Sequence, residues 1–163
     1  MTFSRWMDEL NQIEKLKEGG GRIVVASGCF DFLHLGHLSH LTEARALGDF
    51  LLVLISDDLS VKAMKGPERP VFKEEDRKAL LLALAPVDSV MIHPQAQLVP
   101  LLQQLAPCTF VKGPDYNGIT PKWLKDIVGE IVVTGDSKAD STSLIIERCA
   151  SIHAEYKGRL GLN

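Results

Sequence analysis

The stretch Gly28-Cys29-Phe30-Asp31-Phe32-Leu33-His34-Leu35-Gly36-His37 constrains this chain more than any other, because it joins two segments of different period. Before it, Arg22-Ile23-Val24-Val25-Ala26 is a β-branched run of strand length; after it, Leu38, Leu41, Ala44, Arg45 and Leu47 recur at helical spacing. A strand therefore gives way to a helix. Gly28 and Gly36 let the backbone turn tightly and approach a ligand, and the unpaired amides at a helix start favour anionic oxygens. His34 and His37, three apart at that start, can face one ligand, and imidazole in either protonation state can donate a hydrogen bond to charge developing on a transferring phosphoryl group. The alternative for the pair is to cap the helix and pack. His40 extends the series, but the i, i+3, i+6 spacing rotates it away from His34. No Cys or carboxylate joins the three, so no metal site is expected.

Apolar runs at Phe50 to Ser56, Ser89 to His93, Thr109 to Lys112 and Glu130 to Thr134 join Arg22 to Ser27 as candidate strands, with helical patterns between them. This βαβ series, with several nearly continuous apolar strands, predicts a doubly wound α/β fold built on a parallel five-stranded sheet covered on both faces. A chain of 163 residues needs only a single domain, which buries about two thirds of its unfolded surface. Ligands bind such sheets beyond the carboxyl ends of the strands. Those ends carry Gly28 to His34, Asp57 and Asp58, His93, Gly113 to Asp115, and Gly135 to Ser143. Gly19-Gly20-Gly21 precedes a strand rather than following one, which argues against a dinucleotide fingerprint and NAD chemistry.

Upstream, Trp6, Leu10, Ile13 and Leu16 mark one face of a short helix, giving an amphipathic arm over 1–20 that serves an interface or packs on its own domain. The main domain is expected over 21–150. Residues 151–163, with weak periodicity and two glycines, read as a loose tail or a partner contact.

A formal charge of −3 gives no general attraction to nucleic acid or an anionic membrane, so a polyanionic partner must be gripped locally and is expected to be small. Cys29, Cys108 and Cys149 are widely spaced and form no Cys-x-x-Cys pair, which fits reduced thiols and a cytoplasmic location. Residues 1–20 carry charges where a targeting segment would be apolar, and the apolar run Phe50 to Ile55 is too short to span a bilayer.

Gly-Cys-Phe-Asp followed by His-Leu-Gly-His resembles the signature of the nucleotidyltransferase superfamily that includes the cytidylyltransferases and phosphopantetheine adenylyltransferase. Further segments follow in the same order: Lys62-Ala63-Met64-Lys65-Gly66, Glu74-Glu75-Asp76-Arg77, Val87-Asp88-Ser89-Val90, Val111-Lys112-Gly113-Pro114-Asp115-Tyr116 and Ser141-Thr142-Ser143-Leu144-Ile145-Ile146. With these the chain, from roughly Gly21 to Cys149, is most similar to bacterial heptose 1-phosphate adenylyltransferases, the ADP-heptose synthase group.

The resemblance implies a Rossmann-like fold, a homo-oligomer such as a dimer, and transfer of AMP from ATP to a sugar 1-phosphate. Mg²⁺ would travel on the nucleotide phosphates, with no protein metal site. His34, His37, Lys62 and Arg77 would act in catalysis. Gly28, Cys29, Phe30, Lys112, Gly113, Asp115, Ser141, Thr142 and Ser143 would bind the nucleotide with the two histidines. Asp31, Asp57, Lys65, Tyr116 and Arg77 would bind the acceptor.

Plainer readings stand beside these. Lys62 and Lys65 suit a solvated loop, Arg77 the charged first turn of a helix, and Ser141 or Thr142 a helix N-cap, a role compatible with phosphate binding. Pro114 stands where the family has glycine, stiffening that loop. Glycerol-3-phosphate cytidylyltransferases carry an arginine shortly before their Ser-Thr segment, whereas this chain has Asp136-Ser137-Lys138-Ala139-Asp140. The departure favours ATP over the alternative, CTP with a polyol or amino-alcohol phosphate. A third reading, from another class, is a catalytically silent nucleotide-binding module; the presence of the whole motif set argues against it.

Overall fold

The computed structural model describes residues 6–113, 122–135 and 141–160. Its sheet has five parallel strands, β1 (Ile23–Gly28), β2 (Phe50–Ser56), β3 (Ser89–His93), β4 (Cys108–Lys112) and β5 (Gly129–Val133), in the order β3-β2-β1-β4-β5. The five expected strands are all present, each within one residue of its expected ends. The strand order reverses at β1, which puts the Gly28 to His37 turn at the crevice between the two halves of the sheet.

Side chains alternate across the sheet and feed two cores. On one face Ile23, Val25, Phe50, Leu52, Leu54 and Phe110 pack with Trp6, with Ile13 of α1 (Met7–Glu18), and with buried residues of α5 (Leu98–Leu105) and α6 (Lys122–Val128). On the other, Val24, Ala26, Leu51, Val53, Ile55 and Val111 meet Leu41 and Ala44 of α2 (Leu35–Arg45) and Leu81 of α4 (Glu74–Leu82). Burial on both faces is why β2 reads as an unbroken apolar run rather than an alternating one.

The N-terminal arm belongs to this packing. Trp6 Nε1 donates to Ile92 O at 3.1 Å, and Lys17 Nζ donates to Leu105 O at 2.6 Å and Ala106 O at 2.9 Å, closing the free carbonyls where α5 ends. At the other end of the chain, where a loose tail or a partner contact was expected from 151 onward, residues 151–160 are helical: α7 runs from Thr142 to Leu160, and its residues from Glu147 to Tyr156 are exposed. Weak apolar periodicity there reflects a helix with little core to face. Among the described residues no helix is long and apolar enough to cross a membrane.

Candidate active site

A cleft of about 580 Å³ opens at the carboxyl edge of the sheet. The ends of β1, β2 and β4 supply Ser27, Gly28, Ser56 and Lys112 to its lining, and the start of α7 supplies Ser141, Thr142 and Ser143. The turn after β1 forms its floor. Phe30 occupies the left-handed region at φ 46°, an uncommon conformation for a non-glycine residue costing about 1–2 kcal/mol. Its ring folds back over Gly28, where a Cβ would sit 3.0 Å from the ring edge. Gly28 therefore serves by leaving room for Phe30, and the left-handed conformation in this turn falls on Phe30.

The α2 helix begins earlier than Leu38, at Leu35, because His34 caps it: its Nδ1 accepts from Gly36 N at 3.1 Å. An accepting Nδ1 carries no proton, so neutral His34 holds its proton on Nε2. His37 stacks on His34 with ring centroids 3.9 Å apart, and Phe30 lies 5.1 Å from His37 on centroids. Burial, then the neighbouring His34 and His40, push the His37 pKa down to about 3. His37 is thus a neutral imidazole at physiological pH, and its buried Nδ1 has no hydrogen-bond partner among the described residues. His40 turns away from His34, as its spacing predicts, and is fastened to Thr134, whose Oγ1 lies 2.6 Å from His40 Nδ1. Among the described residues no group of three His, Cys, Asp or Glu side chains comes together to hold a metal ion.

At the opposite wall Ser141 caps α7, its Oγ accepting from Leu144 N at 3.3 Å, while Thr142 Oγ1 reaches Phe32 O at 3.4 Å. Two helix starts thus converge on one cleft, and at α2 the amides of Gly36, His37 and Leu38 are already taken by His34. Comparison with known proteins agrees with this geometry, for a family model described as cytidylyltransferase-like matches residues 25–151.

The chain belongs to the cytidylyltransferase-like family.

Membership makes it a nucleotidyltransferase. Among its relatives in that family, the bifunctional protein HldE of Shewanella loihica is 43% identical over 138 residues, and that of Nitratiruptor sp. is 39% identical over 155. These alignments take in 83% and 91% of this chain but only 29% and 32% of the relatives, so the chain spans about a third of their length. The crystal structure of a lipopolysaccharide core biosynthesis protein from Thermoplasma volcanium matches with a TM-score of 0.63 and 28% identity, covering 73% of this chain and all of that one.

Of the residues that the resemblance assigned, the cleft gathers Gly28, Cys29, Phe30, Asp31, His34, His37, Lys65, Lys112, Gly113 and Ser141 to Ser143. Burial raises the Cys29 thiol pKa against the opposing charges of Lys65, Arg77 and Arg69. Asp115 and Tyr116, like Lys138, lie outside the described residues.

Three of the expected residues stand outside the cleft lining. Arg77 is fully buried and does not line the cleft: its Nε donates to Phe72 O at 3.0 Å and its two terminal nitrogens to Cys29 O at 2.6 Å and Asp58 Oδ1 at 2.8 Å. It braces the turn from behind. Asp57 caps α3 (Asp58–Lys65), its Oδ1 accepting from Ser60 N at 2.8 Å, and contributes nothing to the cleft wall. Lys62 is exposed one turn before the end of α3, outside the lining, while Lys65 at the helix end stands in it.

Sequence reasoning missed Ser27, Ser56, His40, Met64, Arg69 and Gln95, which also line the cleft. The rule that ligands gather at strand ends could have singled out Ser27 and Ser56. Arg69 carries no local signal, since its partner lies 38 residues away.

Proposed function

We propose that this chain transfers AMP from ATP to a sugar 1-phosphate, most specifically heptose 1-phosphate, giving an ADP-sugar and pyrophosphate. The observation that carries this reading is the stacked pair of His34 and His37 at the start of α2, with neutral His37 against a buried floor. The segments resembling heptose 1-phosphate adenylyltransferases and the roughly 40% identity to bifunctional HldE proteins support the acceptor. The residues before Ser141 support ATP over CTP.

In this reading a phosphate oxygen of the acceptor attacks the α-phosphorus of ATP. The P–O bond to the β-phosphate breaks in line, and pyrophosphate leaves with that bond's electron pair. A phosphate monoester is largely dianionic at neutral pH, so the nucleophile needs no general base and no covalent enzyme intermediate. The protein's work is positioning and charge neutralisation. His34 donates from Nε2, and His37 as a neutral donor, to the α-phosphate and its bridge to the departing pyrophosphate. Amides and hydroxyls at Ser141 to Ser143, with Lys112, hold the triphosphate. Mg²⁺ carried on the phosphate oxygens of the nucleotide would neutralise the leaving group's charge.

Pyrophosphate release tests this, offering ATP, CTP, GTP and UTP in turn against heptose 1-phosphate and glycerol 3-phosphate with Mg²⁺. Turnover with ATP and the heptose phosphate alone is expected. Turnover with CTP and the polyol phosphate overturns the nucleotide assignment, and nucleotide binding without turnover in any pairing favours a silent module.

A further inference from the structure

Sheet order divides the cleft at β1. Lys112, Gly113 and Ser141 to Ser143 come from the β4 and β5 side, whereas Ser56, Lys65 and Arg69 come from the β2 side. On the β2 side one arrangement is unexplained by triphosphate binding. Asp31, expected to touch the acceptor, is only 1% exposed, and protein donors already occupy its carboxylate. Oδ1 accepts from Val71 N at 2.8 Å and Phe72 N at 3.0 Å, and Oδ2 accepts from Val71 N at 2.9 Å and from Arg69 Nε.

That carboxylate is committed to holding Arg69 and the backbone after it. Arg69, in turn, uses only Nε among the described residues, so both terminal nitrogens of its guanidinium remain without a partner there. The side chain is 14% exposed and lines the cleft.

We propose that Arg69, pinned along one edge by Asp31, is the fork that grips the phosphate monoester of the acceptor, with Lys65 as the accompanying point charge. This rests on the nucleotidyl-transfer reading above. Two terminal nitrogens in one rigid plane match two phosphate oxygens, and a guanidinium already locked by a buried carboxylate loses little further freedom on binding. The same carboxylate neutralises the fork while the cleft is empty. Asp31 is then a positioning residue, and the acceptor subsite is built from Arg69, a residue in the connection between α3 and α4.

The β- and γ-phosphates of ATP, or pyrophosphate, have the same chemistry, so the test separates these sources. Arg69→Gln is expected to raise the KM for the sugar 1-phosphate about 10- to 100-fold while leaving the KM values for ATP, and for pyrophosphate in the reverse direction, within about twofold. Arg69→Lys keeps the charge but not the fork and recovers only part of the loss. Unchanged ATP values also report that the variants fold. A rise confined to ATP or pyrophosphate, or no change in any KM, overturns the proposal.

A second measurement is independent of turnover. Wild type and Arg69→Gln are titrated with inorganic phosphate, with the nucleotide half filled by a non-hydrolysable ATP analogue and Mg²⁺. Phosphate binding that the variant loses supports the fork, even where no sugar 1-phosphate is turned over and the proposed reaction fails. Equal binding by both proteins, or none by wild type, overturns it.

Discussion

His34 and His37 stack with ring centroids 3.9 Å apart and planes inclined by 28°. Two imidazolium ions could not share that spacing, so the stack and the burial beneath it keep His37 a neutral donor, while capping keeps the His34 proton on Nε2. The pair presents hydrogen bonds to a phosphoryl group without presenting two fixed charges.

Removing a donor of this kind costs turnover rather than binding. Alanine at either His34 or His37 is expected to lower kcat about 10²- to 10³-fold. His37→Gln keeps a neutral N–H donor and should retain more activity than His37→Ala. Single-turnover rates at saturating substrates check this, and equal loss in both His37 variants would refute the donor role.

The depressed His37 pKa also has a stability consequence. The unfolded imidazole titrates near 6.5, whereas the folded one stays neutral down to about 3. Between those values the unfolded state binds more protons, so the folded state loses stability as pH falls from 6.5 toward 3. The slope in mid-window is about 1.4 kcal/mol per pH unit. Urea unfolding at pH 7 and pH 5 should show a smaller acid loss in His37→Gln than in wild type.

Arg77 is expected to matter for stability first. Replacing it with Met leaves Cys29 O, Phe72 O and the Asp58 carboxylate without their donor, at a cost of about 3–5 kcal/mol. Lysine cannot reach three acceptors from one point and should rescue little. Denaturant midpoints would measure both. A variant of wild-type stability with only a raised acceptor KM would return Arg77 to substrate binding.

At Gly28 the clash is with a ring rather than with backbone. Gly28→Ala places a methyl 3.0 Å from Phe30 and should destabilise by about 1–3 kcal/mol, while displacing the floor under His37. Thermal unfolding with parallel kcat measurement would show both losses; loss of neither would mean that the Phe30 ring moves freely.

The sheet, its five strands and the carboxyl-edge site were legible because periodicity and burial are local properties: β2 is apolar at nearly every position since both its faces are covered, and the His34 to His37 turn announces a strand-to-helix junction. The family was legible for the same reason, as its motifs are short and keep their order along the chain. What the sequence could not reveal is which charged side chains face the cleft and which brace it. Arg77 and Arg69 look alike as letters in polar segments, yet one is buried against Cys29 O, 48 residues away, and the other lies along the cleft wall on Asp31, 38 residues away. A charge is committed or free according to the partners brought to it in space, and here Cys29 and Asp31 come from the turn after β1, far along the chain from either arginine. Only the tertiary fold decides that.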